Sequence, residues 1–169
     1  MPNLRAKADR QVTSLLDFMF WSDLVVILAI VVLNIVNILR ASSGQDAMIT
    51  AAEPELVLIV SFALVLYLGY GCFNALSIKR RLGRIYVSLD ETGISGVSLP
   101  NPMSGIAGEA FTVSYEKIVS VSIEEVAITK KHVAPSLRLE ADEQVYIVPA
   151  PERLKEIVQR IAERMTVKS

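Results

Sequence analysis

The sequence LVLIVSFALVLYLGYGCFNALSI at positions 56–78 contains no charged residue, and the basic triplet KRR follows it at positions 79–81. A second uncharged run, LVVILAIVVLNIVNIL, occupies positions 24–39. At 1.5 Å per residue, the longer run reaches roughly 34 Å, which is enough to cross a hydrocarbon core of ~30 Å. The shorter run reaches roughly 24 Å, and aromatic residues from Phe18 onward extend it. We therefore expect two transmembrane helices, at about residues 18–40 and 55–78.

The distribution of Lys and Arg around these runs predicts how the chain is oriented. Three basic residues precede the first run and four follow the second, whereas the loop from Arg40 to Glu53 holds Arg40 alone. Because basic flanks stay on the cytoplasmic side, we expect a multi-pass protein of the inner or plasma membrane with both termini in the cytoplasm. A loop this short makes the two helices antiparallel neighbours.

Polar residues inside and just after the runs are the first candidate contact sites. Asn34 and Asn37 lie three residues apart on one helix face, where they could hydrogen-bond to the other helix or, less plausibly, line an ion or substrate path. Six basic residues are candidates for contact with anionic lipid at the membrane surface, although ordinary solvated charge explains them equally well. They are Lys79, Arg80, Arg81, Arg84, Lys130 and Lys131.

The pattern changes to a period of two after Arg84, which indicates strands. Segments with strand character occur at residues 85–89, 94–99, 110–114, 118–123, 126–129, 137–141 and 145–148. A tight turn is expected at Asp142-Glu143. From Pro151 onward, apolar residues fall at i, i+3, i+4, i+7 and i+11 from Leu154, which predicts one amphipathic helix that covers a sheet face or one mouth of a barrel.

The order of six or seven strands and one helix resembles that of bacterial pleckstrin-homology-like (PH-like) domains attached to paired transmembrane helices, including the YcxB-like group. The resemblance rests on YVSLDETGI at positions 86–94, VSYEKIVSV at 113–121 and YIVP at 146–149. It implies a partly open barrel capped by the C-terminal helix, without enzymatic activity. Eukaryotic relatives often bind phosphoinositides through basic residues near the first hairpin, whereas this chain has Asp90-Glu91 at that turn.

These observations together predict a membrane-anchored α+β protein. A flank and transmembrane hairpin over residues 1–82 would precede a small cytoplasmic PH-like β-barrel over residues 83–169, capped by a C-terminal helix. Within 83–169, ten Lys and Arg stand against twelve Asp and Glu, so this part lacks the basic face that nucleic acid requires.

No catalytic, cofactor or metal site is predicted, because His132 is the one histidine and Cys72 the one cysteine, and the glycines form no phosphate-binding motif. The expected function is therefore a tethered interaction or scaffold module that acts by protein–protein contact or self-assembly and does not bind phosphoinositides specifically. The alternatives are a regulator that responds to anionic lipid or the cell envelope, and an accessory subunit of a transporter or channel.

Overall fold

The structure, a computed structural model, describes residues 4–44 and 54–166 of an α+β protein. Its described helices are α1 (Arg10–Ser42), α2 (Pro54–Leu82) and α3 (Leu154–Thr166). Its described strands are β1 (Leu4–Lys7), β2 (Tyr86–Leu89), β3 (Gly93–Ser98), β4 (Glu109–Ser114), β5 (Ile118–Thr129), β6 (His132–Ala141) and β7 (Gln144–Val148), and a 3₁₀ turn at Tyr115–Lys117 joins β4 to β5. Most of the loop expected outside the membrane, residues 45–53, lies outside the described residues.

The chain divides into two compact units. Residues Leu16–Leu76 form a helical unit, and the residues up to Leu15 together with those from Ser77 onward form a β unit. This division differs from the boundary at residues 82 and 83 drawn from the sequence, because β1 precedes α1 and yet belongs to the β unit.

In the helical unit, α1 and α2 are long and apolar enough to cross a membrane, as judged by length and composition. Their apolar side chains point outward, with Phe18 71% exposed and Phe62 66% exposed. The two helices are neighbours, since the Cys72 thiol lies 3.6 Å from the Phe20 carbonyl oxygen, to which it donates. A Cβ atom at Gly71 would come within 2.6 Å of the Asp23 carboxylate, so a small residue is required at that contact.

The first sheet of the β unit is antiparallel, with the order β1-β2-β3-β4. Strand β1 pairs with β2 from Leu4 opposite Leu89 to Lys7 opposite Tyr86. Both helices therefore lie in the chain between two paired strands. These N-terminal residues were predicted to be a flank, so strand β1 was not expected from the sequence.

The second sheet is also antiparallel, with the order β5-β6-β7. Its strand β5 joins two segments that the sequence suggested as separate strands, 118–123 and 126–129. The predicted β6–β7 turn is confirmed, because Asp142 and Glu143 have φ angles of 49° and 63° at a two-residue hairpin.

The prediction of a β-barrel is wrong, because the described strands form two open sheets rather than a closed one. The two sheets meet where the Leu99 N–H donates to the Ile147 carbonyl oxygen at 2.7 Å and the Ile147 N–H donates to Ser98 Oγ at 3.0 Å. In the described residues, no strand ladder joins the two sheets. The chain leaves β3 through the 99–108 loop and leaves β4 through the 3₁₀ turn.

Helix α3 packs against β5, β6 and the 3₁₀ turn, as the predicted apolar stripe requires. Ile157 and Ile161 on this stripe are fully buried, as are Leu137 and Leu139 on β6. The prediction that this helix covers a sheet face is therefore confirmed.

Candidate interaction surfaces

The basic residues at the end of α2 and just after it do not form one uniform surface. The Arg81 guanidinium donates to the Pro102 carbonyl oxygen at 2.6 Å and to Ser77 Oγ at 2.7 Å, so this side chain ties the 99–108 loop to the end of α2. Lys79 is half-buried, whereas Arg80 and Arg84 are exposed. Of these four candidates for lipid contact, two are therefore exposed in the β unit.

Lys130 and Lys131 form the turn between β5 and β6, and both are exposed. The Thr129 hydroxyl oxygen accepts the backbone N–H groups of Lys131 and His132, at 3.3 and 3.1 Å. These bonds fix the backbone of the turn, and both ammonium groups project from it.

The predicted interhelix asparagines both lie on α1. The Asn34 amide donates to the Ile30 carbonyl oxygen at 2.8 Å, one turn earlier in the same helix. One N–H of the Asn34 amide is therefore satisfied inside α1. Asn37 is half-buried.

The acidic first turn is built around the Asp90 side chain. Asp90 Oδ1 accepts the backbone N–H groups of Thr92 and Gly93 at 2.9 and 2.8 Å and the Thr92 hydroxyl at 2.9 Å. The Thr92 backbone N–H is the largest of the causes that hold the pKa of Asp90 below its ordinary value, and the Gly93 N–H and the Thr92 hydroxyl add to it. The Asp90 carboxylate therefore stabilises the backbone of its own turn.

A cation links this turn to the C-terminal helix. The Arg164 guanidinium donates to the Asp90 carbonyl oxygen and, at 2.8 Å, to the Tyr115 hydroxyl oxygen, and it lies 4.9 Å from the centre of the Tyr115 ring. The Tyr115 hydroxyl in turn donates to the Asp90 carbonyl oxygen at 3.1 Å. Burial raises the pKa of Tyr115, although Arg164 opposes this effect. Arg164 and Asp90 lie 74 residues apart in the sequence, so no local pattern predicts this contact.

An open groove of about 480 Å³ lies beside the 99–108 loop. Its walls include Ser98 at the end of β3, Ile106 in the loop, Glu109 at the start of β4, and Val145 on β7. Ile106 is 69% exposed and Val145 is 47% exposed, so the groove has an apolar wall open to solvent.

A second exposed surface follows β5 and β6. Val119 is 72% exposed, Ile123 is 46% exposed, and Val133 is 60% exposed. On the polar face of the same strands, Arg138 lies 2.5 Å from Glu140 and 3.8 Å from Glu124. The Ser120 hydroxyl donates to Glu140 at 2.7 Å and is the main cause that lowers the pKa of this glutamate.

No group of three His, Cys, Asp or Glu side chains that could hold a metal ion occurs in residues 4–44 and 54–166. His132, the one histidine, places Nδ1 3.1 Å from the Thr129 hydroxyl oxygen at the β5–β6 turn.

Comparison with known proteins adds no family assignment: no family model, no curated protein and no solved structure matches this chain.

Proposed function

We propose that this chain is a non-catalytic, membrane-tethered PH-like module that binds protein, including further copies of itself, at the cytoplasmic face of the cell membrane. One observation carries the proposal: five large aliphatic side chains of the β unit are exposed although they lie outside the apolar helices. They are Ile106, Val119, Ile123, Val133 and Val145. Ile106 and Val145 line the groove, whereas Val119, Ile123 and Val133 lie on β5 and β6. Exposed apolar side chains at a groove or along a strand edge are suited to protein contacts.

The pairing of β1 with β2 supports the expected topology. Residues before α1 and residues after α2 share one sheet. If both helices cross a bilayer, the two ends of the helical pair return to the same side. Together with the excess of Lys and Arg at those ends, this supports two cytoplasmic termini.

The order of elements supports the PH-like assignment in its partly open form. Seven described strands lie in two open antiparallel sheets, and one C-terminal helix covers the second sheet. The acidic first turn does not suit a phosphoinositide headgroup, since such ligands need several converging cationic donors. Here the Asp90 carboxylate and the exposed Glu91 occupy that position.

A second candidate function is contact with anionic lipid. Arg80, Arg84, Lys130 and Lys131 are exposed, and each would contribute about 1 kcal/mol if it lay close to an anionic surface. The third class is a transport accessory, which would use the Asn34 and Asn37 face of α1; one N–H of the Asn34 amide is bonded within its own helix.

Sedimentation of the full chain in mild detergent, over a hundredfold dilution, tests the proposal. We expect a self-associating species, together with crosslinked protein neighbours in native membranes. A strictly monomeric chain with no crosslinked neighbour, combined with binding to nanodiscs that depends on phosphoinositide, would support the lipid alternative instead.

Topology is tested by labelling with an impermeant thiol reagent in intact cells. After replacement of Cys72, single cysteines are placed at position 43, the end of α1, and at position 169. We expect labelling at position 43 alone, and the opposite pattern would reverse the proposed orientation.

A further inference from the structure

The hydrogen bonds at the outer edge of β7 reveal which backbone groups of the second sheet face outward. The N–H and C=O of Ile147 bond to Ser98 and Leu99, away from β6. Along an antiparallel strand, residues alternate between bonding to one neighbour and facing the other side. Tyr146 and Val148 are therefore the β7 residues that bond to β6.

This alternation carries across the sheet to β5. The β6 partners of Tyr146 and Val148 are Leu139 and Leu137, so these two leucines direct their backbone groups to β7. Arg138, between them, directs its backbone groups to β5, where its partner is Ser122.

The residues on either side of Ser122 consequently face away from β6. The N–H and C=O groups of Val121 and Ile123 point to the outer edge of β5. Pairing with β6 is regular from Ser120 to Ala127, and irregularities at Ile118/Ser120 and Ala127/Thr129 bound this stretch. Eight residues of regular strand thus present an edge.

That edge is open in the described part of the chain. Strand β5 is terminal in its sheet, and none of the described strands pairs with its outer side. The exposure of Val119 and Ile123 shows that α3 leaves this part of β5 uncovered. An unpaired edge of this length, whose outward-facing backbone groups include those of Val121 and Ile123, is a template for another strand.

We propose that a second copy of this chain pairs antiparallel with β5, with the twofold axis at Ser122. This inference rests on the proposed function and identifies the surface that would serve it. In this register, Val121 lies opposite Ile123 of the second copy, and Ser120 lies opposite Glu124 of the second copy. Val121 and Ile123 form two such symmetry-related pairs between the copies. Each pair would exchange two backbone hydrogen bonds, about four in all.

Side-chain chemistry disfavours the registers centred on the two glutamates of β5. An axis at Glu124 or Glu125 would place two carboxylates directly opposite each other, which destabilises a strand pair. The axis at Ser122 instead places the β-branched Val121 opposite Ile123. It places Glu124 opposite the Ser120 hydroxyl group of the second copy, and Glu124 lies within 3.8 Å of Arg138 of its own chain. Confinement to a membrane raises the local concentration of copies, so a short edge suffices.

Disulfide trapping tests both the surface and the register in the full chain. In a Cys72→Ala background, Ser122→Cys places the two cysteines at a non-hydrogen-bonded pair with Cα atoms about 4.5 Å apart, which suits a disulfide. We expect a covalent dimer on mild oxidation. Two controls should stay monomeric: Thr112→Cys, exposed on β4 of the other sheet, and Glu124→Cys, whose copies would be roughly 13 Å apart along the strand.

A charge on the edge provides an independent measurement. Ile123→Lys should weaken self-association in detergent at least tenfold, whereas Thr112→Lys, at an exposed site on β4 of the other sheet, should leave it unchanged. If the chain self-associates but Ser122→Cys does not crosslink and Ile123→Lys has no effect, the β5 surface is refuted and the general proposal stands. If the wild-type chain is monomeric and has no crosslinked neighbour, both fail.

Discussion

Replacing Ile161 with Ala should weaken the β unit without altering the helical unit. Ile161 is fully buried on the face of α3 that covers the second sheet. Loss of a buried Ile side chain costs about 2–5 kcal/mol, because the transfer free energy of the removed atoms and the cavity left behind both contribute. We expect about 3 kcal/mol, since α3 can shift partly toward the sheet to fill the space.

Hydrogen exchange of the full chain in detergent measures this effect locally. A loss of 3 kcal/mol should raise the exchange of protected amides in β5 and β6 roughly 100-fold, while exchange in α1 and α2 stays the same. The matched control is Lys155→Ala on the exposed face of the same helix, which should change protection by less than about 0.5 kcal/mol. Unchanged protection of β5 and β6 in Ile161→Ala would refute the capping role of α3.

Three further predictions concern the turns of the β unit. Arg164→Ala and Tyr115→Phe should each destabilise the β unit. Their double-mutant cycle, measured by chemical denaturation, should show a coupling of about 1 kcal/mol. Additive changes in the free energy of unfolding would contradict the contact. Asp90→Ala should lower the melting temperature at neutral pH. Because the pKa of Asp90 is lowered on folding, its contribution is present above the ordinary carboxyl pKa of 3.8 and fades as the pH falls below it, so the variant and wild type should converge in acid. Glu143→Gly should raise stability by about 1 kcal/mol, since glycine adopts the positive φ of this turn without steric cost, and a lower melting temperature would count against the assigned turn.

The elements that sequence predicted well are those whose signal is local and periodic. Two uncharged runs predicted α1 and α2, and the stripe from Leu154 predicted α3 with its buried face. The turn at Asp142-Glu143 was recognisable because two charged residues interrupt two apolar alternations. In each case, neighbouring residues alone carry the information.

The elements that sequence missed depend on distant partners. The segment Leu4–Lys7 alternates apolar and basic residues over four positions only, and its pairing partner begins at Tyr86. Strand β5 was divided because Glu124 and Glu125 interrupt its alternation, yet Arg138 on the neighbouring strand lies close enough to balance Glu124. Closure of the sheets into a barrel likewise depends on contacts that local patterns do not contain.

The candidate sites show the same limit. Arg81 at the end of α2 was a candidate for lipid contact, but it donates to the Pro102 carbonyl oxygen, 21 residues away. Exposure of Val119 and Ile123 was not foreseeable either, because alternating apolar residues in a predicted strand are normally assigned to a core. Whether an edge strand is covered depends on where the following helix packs.

Insertion of the helical pair between β1 and β2 links the folding of the two units. Strand β1 is synthesised first, but its partner Tyr86–Leu89 follows only after both apolar helices. If both helices span a bilayer, β1 and β2 lie on the same side of it. A chain with only one inserted helix would instead leave β1 and β2 on opposite sides, and Ala6, which is 2% exposed in the folded unit, would lose its contact with β2. The first sheet would then lack one edge strand, so insertion of a single helix is incompatible with a complete first sheet.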